Sequence, residues 1–502
     1  MSFDPDPSTS SAARAARRRP ARVVTAGLAL AAALATGCSG SSGSNPDAGV
    51  TPDAPGGGSD GGGTGVPGLH IAAVSATGHD HFFGVAFDPQ GNIYATGQVA
   101  PGTDAATDYA AVVAKFTPAG ELDTSFGDHG FAIRNVAVGS NGELFRGIVV
   151  QSDGKIVISG SVEHAGATDP RDRDIALLRF NRDGTPDGGF GDAGAVILDL
   201  SAGVAVGTAF VADSVWGLAA YPDDRLVLSG GRVRTGADDT DYVVVRLSKD
   251  GVPDPDFATD GVFALDRVIL DTTNGNAPKH NNASPRNISL LPGTDGIIAA
   301  GYQPIPGRDT EPVVYKLTDA GELDPSFGTD GVFDTYLLDE QAEAYAARAQ
   351  GDKLVTTGYG RSTAAETTDV LSLRLDAQGK LDTTYGSNGM VRIDVGGFAD
   401  NSRNLLVLPD RRIVLSGGGR PTATNVDGWI ALLTPDGQPD TSFSPTGWKT
   451  FDLGGPADFL WSLALSPDGK TLAFVGFKGV GANPTPATAN DDAALFLFPL
   501  GS

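Results

Sequence analysis

Seven residues carry the pattern in this sequence most suggestive of chemistry: Phe83, Arg146, Trp216, Arg286, Tyr345, Arg403 and Trp461. In most copies of a repeated unit the residue stands seven positions before a turn aspartate, so the seven form one column in which aromatic and arginine alternate. A guanidinium held between aromatic faces gains about 0.5–2 kcal/mol per cation–π contact. Such a column has two uses. It interlocks neighbouring units, or it is a candidate ligand-binding ring, with arginines meeting an anion and aromatics stacking on a sugar or peptide. The second use draws weight from charge: the column is positive inside a chain of formal charge −25 and pI about 4.5.

Other reactive groupings are sparse. His79 and His81 fall on one face of an extended segment and could hold a metal with a third ligand. No third ligand is evident from spacing, so the segment reads as a loop and no metal site is nominated. Asp-rich turns such as Asp183 to Asp187 and Asp238 to Asp241 offer weak Ca²⁺ sites but lack the ligand spacing of a dedicated calcium loop. There is no phosphate-cradling glycine loop after a strand and no recognisable Ser/His/Asp constellation. Carboxylate pairs are too numerous to single out a glycosidase dyad. No catalytic residue and no cofactor is therefore expected. The acidity repels phosphate backbones and argues against nucleic-acid binding.

The elements that must position the column are short strands. Gly120-Glu-Leu-Asp123-Thr-Ser-Phe126 recurs at Gly184 to Phe190 and Gly321 to Phe327, with looser copies at Gly251, Gly379 and Gly437. A second turn, Asp153-Gly-Lys-Ile-Val-Ile-Ser-Gly160, precedes each copy and also occurs in a last unit ending at Gly476. Each unit holds four β-type runs; in the third these are Val215–Tyr221, Arg225–Ser229, Tyr242–Ser248 and Val262–Leu265. Four strands in each repeat of roughly sixty residues make a propeller blade. The last unit has only three runs, Leu460–Ser466, Thr471–Gly476 and Ala493–Phe498, while an orphan run, Leu69–Val74, precedes the first. The expected fold is therefore all-β: a seven-bladed β-propeller over 69–502, closed by an N-terminal strand that completes the last blade.

Two more columns accompany the ring. Counted back from the turn glycine that follows the third strand, Lys115, Arg179, Arg246, Lys316, Arg374, Leu432 and Phe496 share one position. Five residues earlier stand Ala110, Asp174, Asp241, Glu311, Asp369, Asp427 and Asp491. The turn aspartates, such as Asp123, Asp187 and Asp254, form a third column, and basic side chains opposite recurrent aspartates read as charge-assisted bonds that fix turns and join blades. A glycine column (Gly97, Gly160, Gly230, Gly301, Gly358, Gly417, Gly476) reads as close backbone approach or a bulge.

These turns resemble the delta-60 repeat family of bacterial secreted proteins. That resemblance implies a propeller-like extracytoplasmic protein and no defined reaction. The N-terminus agrees with export. Arg17-Arg18-Arg19 precedes an apolar run, Val23 to Ala35, and then Thr36-Gly37-Cys38, which resembles the bacterial lipoprotein box. Residues 1–37 are then a signal peptide and Cys38, the only cysteine, is the lipid anchor. Residues 38–68 form a Gly/Ser/Pro linker spanning roughly 30 Å as a flexible coil. The resemblance places the protein in the bacterial cell envelope, in the outer membrane or at the cell surface. Its only membrane contact is the anchor, and a monomer is expected. Two function classes fit: a surface binding or adhesion module for a glycan, cell-wall fragment, peptide or protein, and an exported propeller hydrolase or lactonase acting at the channel mouth. Asymmetric His, Asp or Glu at one mouth favours the second; an aromatic/Arg ring without them favours the first.

Overall fold

A computed structural model describes residues 66–75, 79–99, 109–136, 143–166, 169, 171–206, 209–234, 239–271, 277–306, 309–479 and 491–500. The proposed signal peptide, Cys38 and the linker up to residue 65 lie outside the described residues. Within them the only regular structure is β-strand. In the third repeat the strands are Ser214–Ala220, Leu226–Val233, Thr240–Leu247 and Val262–Leu265, paired antiparallel in that order. The middle strands run longer than the apolar runs because pairing continues past Gly230. The same meander recurs at 80–134, 144–198, 284–333, 346–393 and 401–451.

The last sheet differs. Phe459–Leu465, Thr471–Lys478 and Asp492–Pro499 are joined at the outer edge by Leu69–Ala72, with Leu69 opposite Phe496 and Ala72 opposite Ala493. The apolar cores lie between neighbouring sheets. Val157, Ile175 and Leu177 of the second repeat pack on Val215, Leu228 and Val245 of the third. Phe82, Ile93 and Val112 of the first pack on Val475 and Leu495 of the last. Meandering four-strand sheets that bury both faces against their neighbours are the architecture of a β-propeller.

Some features break the repeat. Hairpins Val204–Val206/Ala209–Val211 and Arg267–Asp271/Ala277–Asn281 occupy connections between repeats. A two-residue strand, Gln341–Ala342, pairs with Thr310 on one side and with Gly360 and Arg361 on the other, merging two sheets into one.

The recurrent turn motif has a clear physical basis. Its aspartate accepts from the strand cation: Lys115 to Asp123 at 2.8 Å, Arg179 to Asp187 at 2.7 Å, Arg246 to Asp254 at 2.8 Å, Lys316 to Asp324 at 2.9 Å and Arg374 to Asp382 at 2.7 Å. Its aromatic stacks under the same guanidinium, with Arg179 4.5 Å from the Phe190 centroid and Arg246 4.6 Å from that of Phe257. The arginines also reach the next repeat: Arg179 donates to the Lys249 carbonyl at 2.7 Å and Arg246 to that of Asp319 at 2.6 Å. Where Leu432 replaces the cation, Arg412 bonds Asp440 at 3.2 Å.

The register corrects the last members of the two outer columns. Ala473 faces Leu497 as Val414 faces Leu432, so Leu497, not Phe496, takes the basic-column position. By the same register Asp492, not Asp491, belongs to the acidic column. In the last strand Gly501 stands four residues after the basic-column position and not five, so counting back five residues from it lands one position short of the register. The acidic column does not pair with the basic one. It sits at the opposite end of the strands, where Asp427 meets Asp452 and Asp458.

A ring of arginines and aromatics at the channel

All seven residues of the alternating column line one cavity, together with Asn287, Asn404 and Ser462. In six of the seven repeats the first strand puts them there through a bulge, while Tyr345 directly precedes the strand Ala346–Gln350. Phe82 faces Gly97 and Gly84 faces Thr96, which leaves Phe83 as the extra residue. Arg146, Trp216, Arg403 and Trp461 are skipped in the same way, and Arg286 falls inside a shift between Pro285 and Ile288. A bulge re-aims the side chain it extrudes, and repetition aims all of them at one axis. The glycine column is its counterpart. A Cβ on Gly97 would lie 1.8 Å from the His81 carbonyl oxygen, one on Gly358 1.9 Å from that of Glu343, and one on Gly476 1.8 Å from that of Phe459. Only glycine lets the bulged strand come that close.

Around the ring the contacts are continuous. Arg146 lies 5.8 Å from the Phe83 centroid and 4.0 Å from that of Trp216. Arg286 lies 4.0 Å from Trp216 and 4.7 Å from Tyr345. Arg403 lies 4.5 Å from Tyr345 and 5.1 Å from Trp461. Trp461 closes edge-on against Phe83 at 5.0 Å. Every aromatic of the ring is thus in contact with at least one guanidinium group.

The charges are the notable feature. None of the three ring arginines forms an ion pair among the described residues, and the Nε of each is buried without a partner. Burial, then Arg286 and Arg403, push the Arg146 guanidinium down to about 9. Burial raises the Tyr345 hydroxyl, but Arg403 and Arg286 outweigh it and hold it below its usual value. The acid that Arg286 and Arg403 both sense is Glu343, whose carboxyl burial pushes up toward the neutral form. Beside the ring Arg348, lowered to about 10 by burial, donates to Asn287 and Asn404 at 3.2 Å each, and Asn404 donates to Ser462 at 3.1 Å.

A further column stands three residues before the ring in five repeats: Asp80, Glu143, Asp213, Asp400 and Asp458. These buried acids accept from loop N–H groups: Asp80 from Val74 and Ser75, Asp213 from Leu200 and Ser201, Asp458 from Leu453 and Gly455. They clip each incoming loop to the strand that carries the ring residue. The signal that finds them is an acid three positions ahead of five of the seven ring residues, a spacing legible only once the ring itself is aligned.

His79 and His81 open the first strand and do not form a loop, and both reach Asp491 at 2.9 Å. That aspartate is the partner sequence spacing could not supply.

Residues 151–190 and 408–443 match a family model described as "Domain of unknown function (DUF5122) beta-propeller". No curated protein sequence matches the chain. Among solved structures it is similar to Sqt1 from Chaetomium thermophilum, at 12% identity over 86% of this chain and 100% of that one, with a TM-score of 0.39. It is also similar to a polysaccharide lyase of family PL25, an ulvan lyase, at 10% identity over 86% and 95% of the two chains, TM-score 0.47. A third similarity is to the β-propeller domain of the Trilobed protease from Pyrococcus furiosus, at 10% identity over 79% and 89%, TM-score 0.37. The assignment of the fold rests on the order of the sheets and on the family match.

Proposed function

We propose that the chain is an exported, lipid-anchored, seven-bladed propeller of the delta-60 type, closed by its N-terminal strand. Its channel mouth binds an anionic group presented by a glycan, peptide or protein. The observation that carries this reading is the convergence of Arg146, Arg286 and Arg403 on one cavity with no ion pair to any of them among the described residues. Buried cations without counter-ions are costly unless something supplies the charge. The cavity measures about 50 Å³, room for a few waters at roughly 10–15 Å³ each. That suits one carboxylate or sulfate group and not a whole sugar ring, so the rest of the ligand lies outside the mouth. The lining contains neither carboxylate nor imidazole, which supports binding over hydrolysis.

Trp216 and Trp461 stand in the ring and report on it. Intrinsic fluorescence of the purified protein is titrated with sulfate, phosphate, acetate, uronic-acid oligosaccharides and acidic peptides. A saturable change that neutral sugars do not produce, and that Arg286→Gln abolishes, is the expected result. A spectrum that no anion moves would return the ring to blade packing. Cys38→Ala should release the protein from the membrane fraction; retention there would refute the anchor.

A further inference from the structure

The geometry points to a second site: His79, His81 and Asp491 form a three-ligand site for a divalent transition-metal ion of the zinc class at the seam between the first and last sheets. His79 Nδ1 and His81 Nε2 both lie 2.9 Å from the same Oδ2 of Asp491, and the three ligand atoms fall within 4.8 Å of one another. Zinc bonds of about 2.0–2.2 Å in a tetrahedron place ligand atoms roughly 3.4 Å apart. Each imidazole nitrogen would then part from the carboxylate oxygen by about half an ångström, and the two nitrogens, within 4.8 Å of each other, would settle to the same spacing. Two imidazoles and a carboxylate suit zinc, cobalt or iron better than calcium, which takes six to eight oxygens.

The frame is already rigid. His79 and His81 are two apart on one strand face. The Asp80 amide donates to the Asp491 carbonyl at 2.9 Å. His81 stacks on Phe477 with centroids 4.0 Å apart and stands edge-on to Phe83 at 5.7 Å.

The repeat itself shows that the triad is not scaffold. The positions equivalent to His79 and His81 are Ala399 and Asn401 in the sixth repeat and Ala457 and Phe459 in the seventh. The position equivalent to Asp491 holds Thr368 in the fifth and Val426 in the sixth. The other seams pack without these groups, so packing does not require them here. Three ligands leave a coordination position open. The ion would tie the first strand of the first repeat to the last strand of the chain, clamping the closure beside the ring.

The test is Co²⁺ titration of the metal-stripped full chain, read by visible absorption and metal content. One equivalent of Co²⁺ is expected, with absorption bands of a nitrogen-and-oxygen site. His81→Phe, which keeps the stack on Phe477, and Asp491→Asn should each weaken uptake by about a hundredfold or more. No uptake by the wild type, or uptake unchanged in both variants, overturns the site. Should either variant fail to fold, X-ray absorption of the zinc-loaded wild type decides. Scattering from two imidazoles supports the site, and an all-oxygen shell, as the carboxylate clusters would give, overturns it.

Discussion

Replacing Arg146 with Met should stabilise the protein in anion-free buffer. Arg146 makes two cation–π contacts, at 4.0 Å to Trp216 and 5.8 Å to Phe83, each worth about 0.5–2 kcal/mol. Against them stands a guanidinium lowered to about 9, first by burial and then by its two like neighbours. Keeping it charged at pH 7 then costs on the order of 5 kcal/mol. Repulsion accounts for part of that cost. Arg146 and Arg286 each lie 4.0 Å from the Trp216 centre and so are at most about 8 Å apart. At an effective dielectric near 20, like charges at that distance repel by about 2 kcal/mol. Methionine keeps the apolar stem and much of the length while dropping the charge. The net expectation is a gain of about 1–4 kcal/mol. Urea unfolding followed by far-ultraviolet circular dichroism measures it, since guanidinium chloride would screen the charges and compete for the rings. Sulfate should narrow the gap by stabilising the wild type alone. A variant less stable than wild type by 1 kcal/mol or more without anion would refute the reasoning, because stacking would then outweigh the buried charge.

Asp80, Asp213 and Asp458 are raised to about 7 and Asp400 to about 6, burial being the largest cause in each. The folded chain then binds more protons than the unfolded one between about pH 4 and 7, so stability falls as pH rises through that window. A thermal midpoint that declines from pH 4.5 to 8, less steeply in Asp458→Asn, is expected; a midpoint that climbs would refute the assignment. Gly476→Ala sets a Cβ against the Phe459 carbonyl and should cost several kcal/mol by disrupting the Trp461 bulge. Gly469→Ala, with positive φ but open space, should cost only about 1 kcal/mol, and equal costs would argue against the bulge. Arg374 is buried and bonds Asp382 at 2.7 Å, Gln350 at 3.1 Å and the Pro435 carbonyl at 2.5 Å. Its removal should cost about 3–5 kcal/mol, against under about 1 kcal/mol for the more exposed Lys316; urea midpoints compare them.

The repeat period, the strands and the pairing of Leu69–Ala72 with the last strand can all be read in sequence, because turn glycines and aspartates mark every boundary. The ring column is legible too, by its fixed distance to those turns. Its bulge shows in sequence only through the opposing glycine column, which reads equally as close backbone approach and does not tell which residue is extruded. The His79/His81 partner lies 412 residues away, and repeat alignment brings it near only once the register of the last strand is known. In that strand Gly501 follows the basic-column position one residue sooner than in the others, so counting back from it puts Asp491, and not Asp492, in the acidic column. The two inserted hairpins escape for another reason: Val204–Val211 and Val268–Leu270 look like any other apolar run until the order of the sheets excludes them from a blade.

An alternating ring of seven cannot close without placing two like members side by side. Two adjacent arginines would add a repulsion with no ring between them to lessen it. Two adjacent aromatics cost nothing and gain an edge-on contact. The mismatch falls between Phe83 and Trp461, at the seam where the first and last repeats meet. The same seam gathers Phe459, Phe477 and His81 into one aromatic cluster. It also carries the histidine pair that the other repeats lack. The oddness of the ring thus gives a repetitive protein one side unlike the rest: three cations converge around most of the cavity, and the seam between the first and last repeats gathers the extra aromatics and the histidine pair.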